Sequence, residues 1–161
     1  MTIQTYTRLE LAKNQVEAAV GLFVSGGDRF SVISLAGAAD VILSRWVINR
    51  GEENFTEYSL RLESERHGSH DSRETHGKSL NDTLFINQLK HMDDHDDGYI
   101  EMEPDECALA AILKALANYV ILAGKQRDFV QAFMAWIILN LDPKKYNIYG
   151  DPKWEPQGDN A

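Results

Sequence analysis

Apolar residues recur along the first part of the chain at the spacing of a helix. Leu9, Ala12, Val16, Ala19, Val20 and Phe23 share one side, and Lys13 and Glu17 lie on the other. Gly26-Gly27 stops this first helix. Asp28 can cap a second one, roughly 29–49, which ends before Gly51. The second helix is apolar nearly all round, through Phe30, Val32, Ile33, Leu35, Val41, Ile42, Leu43, Trp46 and Val47, so it belongs at the centre of a bundle. Ala36-Gly37-Ala38-Ala39 thins it at the middle and lets a neighbour approach closely. A third helix is expected over about 52–65, marked by Phe55, Tyr58, Leu60 and Leu62. The polar stretch 67–78 reads as an exposed, mobile loop. A fourth helix is expected over about 80–92, with Leu84, Phe85, Leu89 and Met92 facing inward. Residues 99–103 alternate and read as a short extended segment. Pro104 opens a fifth helix, with Asp105 and Glu106 favourable in its first turn, that runs to about Ala123 and stops at Gly124. A sixth covers about 128–141. The expectation is an all-α bundle of five to six helices over 1–142, followed by a tail, 143–161, that either packs through Trp154 or is loose.

A chain of 161 residues suits one domain and buries enough surface to fold without disulfides or metals. Cys107 is the only cysteine, so no intrachain disulfide forms, which fits the reducing cytoplasm. The N-terminus has no basic start followed by a long apolar run, so no secretory signal is expected there. The apolar stretches near 31–48 and 108–123 are broken by Asp40, Arg45, Lys114 and Asn118, and no membrane span is expected. The net charge of −9 disfavours nucleic acid as a partner. The acidity concentrates locally: from Asp93 to Glu106 there are eight carboxylates and no Lys or Arg, a surface whose complement is a cation or a basic protein.

Few residues are arranged for chemistry. There is no Gly-x-Ser-x-Gly and no Gly-rich phosphate loop. Cys107, in the first turn of the fifth helix but flanked by carboxylates, reads as a small buried hydrophobe. His67, His70 and His76 have neither a second matching pair nor a thiolate, and read as members of a solvated loop rather than metal ligands. The segment 93–100 resembles the first two thirds of an EF-hand calcium loop, with Asp93, Asp97, the turn Gly98 and Ile100 in fitting places. It departs from that loop at His95, where an oxygen ligand belongs, and at Pro104, where the closing Glu belongs, with Glu103 adjacent. Asp93, Asp97 and Glu103 are thus candidate ligands of a weakly held divalent cation.

Two stretches together resemble a known family. One is Ser25-Gly26-Gly27-Asp28 followed by Ser34-Leu35-Ala36-Gly37-Ala38-Ala39-Asp40-Val41-Ile42-Leu43. The other is Asn87-Gln88-Leu89-Lys90-His91-Met92-Asp93-Asp94 followed by Pro104 and Lys114-Ala115-Leu116-Ala117-Asn118-Tyr119. Their order is similar to that of the bacterial HEPN-like proteins, over about 9–141. The resemblance implies an up-and-down helical bundle of a kind that often dimerises, so a homodimer is expected; no cofactor is expected. In active members an Arg, a polar residue, three further residues and a His form an RNA-cleaving site across the dimer. The polar residue corresponds to Asn87 and the His to His91, but the Arg position is Ile86. A histidine can move protons near neutral pH, whereas isoleucine cannot stabilise charge on a phosphorane-like transition state. The resemblance therefore implies a non-catalytic binding or regulatory module. The alternatives are a divergent ribonuclease or toxin component using His91, and a weak cation-binding protein using 93–103. Asn87 and His91 also have a purely structural alternative, hydrogen bonding at a helix end.

Overall fold

A computed structural model of the chain describes residues 2–68, 71–151 and 153–155. Every regular element among them is a helix, as the periodicity predicts: α1 (Arg8–Val24), α2 (Arg29–Asn49), α3 (Phe55–His67), α4 (Arg73–Thr83), α5 (Pro104–Ala123) and α6 (Asp128–Asn140). The segment 99–103 forms no strand. The chain separates after Gly124 into two compact units, with α1–α5 in the first and α6 in the second.

Local chemistry sets the helix boundaries. Thr7 and Glu10 form a reciprocal capping box at α1: the Thr7 hydroxyl accepts from Glu10 N–H at 3.1 Å, and the Glu10 carboxylate accepts from Thr7 N–H at 2.7 Å. Asp28 caps α2 by accepting from Ser31 N–H at 2.7 Å. Asn54 and Glu57 make a second capping box, so α3 begins at Phe55 rather than Glu52. Helices α1, α2 and α4 end in the same way, with paired backbone bonds closing over a left-handed residue. That residue is Gly26 after α1 and Gly51 after α2, but Phe85 after α4.

In the first unit α2 packs against both α1 and α5, and α3 packs against α4 and touches α5. Val32, Ile33, Ala36, Ala39, Leu43 and Val47 of α2 are buried, as are Ala12, Val16 and Ala19 of α1 and Ala108, Ile112 and Ala115 of α5. A fully buried Val, Leu or Ile side chain stabilises the fold by about 1.5–3 kcal/mol, so this seam dominates the core. By length and composition alone α2 and α5 are each long and apolar enough to cross a membrane, even with the polar residues that interrupt them. In this fold they are the central helices of the bundle.

The main correction concerns α4. It starts at Arg73, inside the stretch expected to be a loop, and stops at Thr83 instead of continuing to Met92. Ser72 caps it by accepting from Thr75 N–H at 3.2 Å, and His76 is buried. Past Thr83, Phe85 adopts φ 55° and turns the chain, leaving Leu84, Phe85 and Leu89 half-buried and Met92 exposed. The inward residue is Ile86, 3% exposed. It lies so close to Gly37 of α2 that a Cβ on Gly37 would come within 2.7 Å of Ile86 Cγ2. The thin middle of α2 therefore receives the turn after α4.

In the second unit, Val130, Phe133 and Ile137 of α6 are buried, and Met134, Ile138 and Leu139 are exposed. The Phe133 and Trp136 rings stack with centroids 6.0 Å apart. Trp154 donates from its indole N–H to the Lys144 carbonyl at 3.3 Å.

Candidate functional site

Asn87 and His91 line one cleft of about 510 Å³, together with Lys78, Asp82, Gln88, Asp93 and Asp96. They are not on a continuous helix. The chain makes a separate turn after Phe85, in which Leu89 N–H bonds to the Phe85 carbonyl at 3.1 Å and His91 N–H to the Asn87 carbonyl at 3.0 Å. The spacing thus brings the two side chains to one place, as a helix would, on a turn that is half-buried at Asn87 and exposed at His91. The Asn87 amide donates to Asp82 Oδ1 at 2.8 Å, and the Gln88 amide to the Asp82 carbonyl at 3.3 Å. Ile86 lies beneath this surface in the core. Three carboxylates (Asp82, Asp93, Asp96) face one ammonium, Lys78, so the cleft repels phosphate and attracts cations.

The candidate metal ligands lie on the linker from this cleft to α5. Asp93 and Asp97 are exposed, and Glu103 is the residue before α5. The linker carboxylates bond their own backbone: Asp96 Oδ1 accepts from Gly98 N–H at 2.8 Å, and Asp97 Oδ1 from Tyr99 N–H at 3.0 Å. Among the described residues no three His, Cys, Asp or Glu side chains are gathered so as to hold a metal ion. The side chain of His67 and the whole of His70 lie outside the described residues. His76 is held by protein groups instead, with Nε2 3.1 Å from Ser59 Oγ and Nδ1 3.1 Å from Glu63 Oε2, which fastens α4 to α3. Cys107 is buried, and burial together with Glu106 and Glu103 pushes its thiol pKa up, consistent with an unreactive core residue.

The most enclosed polar group was not among the sequence candidates. Asp40 of α2 is ion-paired with Lys114 of α5, each 4% exposed, and Asp40 Oδ1 accepts from the Asn118 amide at 2.8 Å. Asn118 in turn accepts from Phe55 N–H, at the start of α3, at 2.9 Å. The neighbouring cap Asn54 donates to the Ser44 carbonyl at 3.4 Å, and Glu57 pairs with Arg73 of α4 at 3.2 Å. One chain of polar contacts thus ties α2, α5, α3 and α4. The signal for it was in the sequence: Lys114 and Asn118 are one helical turn apart in an otherwise apolar helix, and Asp40 interrupts the other one. Asp40, Lys114 and Asn118 bond one another, and none of them lines the cleft of Asn87 and His91 or that of Arg8 and Arg45, so these three side chains are placed to fix helix register.

No family model, curated protein or solved structure matches the chain.

Proposed function

We propose that this chain is a HEPN-like module that binds or regulates without cleaving RNA, acting as a homodimer in the cytoplasm. The observation that carries this reading is the burial of Ile86 against Gly37. At the position where RNA cleavage requires a guanidinium beside the histidine, the side chain fills the core, so no cation from that position reaches the Asn87–His91 cleft. The three carboxylates around His91 add to this, because they oppose the approach of a phosphate backbone. The exposed Met134, Ile138 and Leu139 of α6 offer apolar surface for self-association.

The test is incubation of single-stranded and transfer RNA with the wild type and with His91→Ala. Both should leave the RNA intact. Metal-independent cleavage by the wild type that disappears in His91→Ala would refute the reading. The rival, a divergent ribonuclease or toxin component, draws on one observation: Lys78 lines the same cleft as His91 and could supply the missing cation. Under that rival, Lys78→Ala would abolish cleavage as completely as His91→Ala. Light scattering should give a dimeric mass, and a monomer at tens of micromolar would remove any site shared between subunits.

A further inference from the structure

A second cleft, of about 320 Å³, lies between the start of α1 and the second half of α2, and is lined by Arg8, Val41, Ile42, Arg45, Trp46 and Asn49. Val41, Arg45 and Asn49 follow one another at successive turns of α2, and Ile42 and Trp46 form the adjacent row. The volume is at the lower end of small-molecule sites. The walls are apolar and aromatic: Val41 is exposed despite its hydrophobicity, and Trp46 and Ile42 are half-buried.

Its charge runs against that of the whole chain. With a net charge of −9, guanidinium groups have abundant carboxylates to pair with. Arg29, Arg50, Arg61 and Arg73 of the first unit each pair with one. Among the described residues, Arg8, Arg45 and Arg66 of that unit have neither an ion pair nor a side-chain hydrogen bond, and two of these three meet in this cleft. The cleft itself contains no carboxylate. Two exposed guanidiniums without a protein partner, in one cleft with an indole, make a site for a flat apolar body carrying an oxyanion: the arginine forks can bond the anion, and Trp46 can pack against the body.

We propose that this cleft binds a small aromatic oxyanion, a carboxylate or a phosphate monoester, held by Arg8 and Arg45 with its ring against Trp46. The proposal is independent of the Asn87–His91 cleft and of whether that cleft is catalytic, because the two share no lining residue.

The experiment titrates the full chain with 1-naphthoate, 1-naphthyl phosphate and neutral 1-naphthalenemethanol, following Trp46 fluorescence against a Trp46→Phe control. At least one anion should bind saturably, at one per chain and more tightly than the neutral alcohol. The preferred anion identifies the headgroup. Arg8→Gln and Arg45→Gln should each weaken it about tenfold or more, the worth of a charged hydrogen bond, and leave the alcohol unchanged. Both arginines are at least partly accessible and make no structural pair, so these variants should fold, and their helical spectra check this. Equal binding of anions and alcohol, or anion binding that survives both substitutions, would overturn the proposal.

Discussion

Removing the Asp40 carboxylate strands a buried charge, and its cost can be worked from the structure. In Asp40→Ala the Lys114 ammonium, 4% exposed, loses its counter-ion, and the fully buried Asn118 loses the acceptor for its amide. Breaking one side of a buried ion pair costs about 3–5 kcal/mol. An orphaned buried donor costs about 1–3 kcal/mol, but it shares its acceptor with the ion pair, so the two terms overlap rather than add. The expected loss is therefore about 3–5 kcal/mol, read as a fall in Tm of about 6–20 °C for a chain of this size. Urea and thermal unfolding followed by far-UV circular dichroism measure it. The double change Asp40→Leu with Lys114→Met removes both charges together, and should recover most of the loss, since apolar replacement of a buried pair is often neutral or better. If Asp40→Ala unfolds within about 1 kcal/mol of the wild type, the network does not hold these helices. If the double variant is no better than the single one, the loss does not come from the stranded ammonium.

Other perturbations follow from the same contacts. Gly37→Ala should destabilise by about 1–3 kcal/mol through overpacking against Ile86; adding Ile86→Val should return part of that loss, and an unchanged urea midpoint for Gly37→Ala would contradict the close approach. His76→Ala removes the contacts to Ser59 and Glu63, so amide exchange should accelerate in α4 and far less in α1 and α2; uniform exchange across the chain would show that the clasp is not what holds α4. Glu10, Asp28 and Glu53 are held below their ordinary 4.5, 3.8 and 4.5 by hydrogen bonds from Thr7, Ser31 and Arg61 respectively. Their folded pKa values lie below the unfolded ones, so their contribution is present above those values and lost as pH falls through the folded ones. The wild type should lose more stability between about pH 7 and about pH 3 than a variant with Glu10→Gln, Asp28→Asn and Glu53→Gln, and an equal loss would count against these bonds.

The long helices were legible because their ends and faces are both written in the sequence. Asp28, Gly51, Pro104 and Gly124 mark the ends of α2 and α5, and the apolar periodicity of α1 locates its buried stripe. Helix α4 was not legible for a physical reason. It carries little apolar surface and buries one side chain, His76, so its helicity depends on tertiary contacts to α3 that no local pattern records. Its end was hidden as well. A left-handed closing residue is normally Gly or Asn, and Phe85 gives no such signal, so the apolar residues beyond it read as more helix. The i, i+4 spacing of Asn87 and His91 nevertheless placed both on one cleft, because the chain makes a fresh turn there. The arginine cleft could not be read, since it joins residues 8 and 45, whose proximity comes from the packing of α1 on α2.

Under the proposed reading, Ile86 also determines whether one substitution could create an RNA-cleaving site. On a continuous helix the residue before Asn87 would be turned by about 100° from it and could reach a shared surface. In this fold the chain turns at Phe85 and directs Ile86 onto the Gly37 notch, where a single added methyl would already collide. An arginine there would have to force a longer, charged side chain into the core against Gly37, or unfold the turn that carries Asn87 and His91. Leaving a buried charge unpaired costs about 3–5 kcal/mol, a large share of the stability of a typical domain. Ile86→Arg should therefore lower the urea midpoint strongly and produce no RNA cleavage, whereas Ile86→Leu should be nearly as stable as the wild type. An Ile86→Arg protein that folds with wild-type stability and cuts RNA would show that packing at this notch is not what keeps a guanidinium from His91.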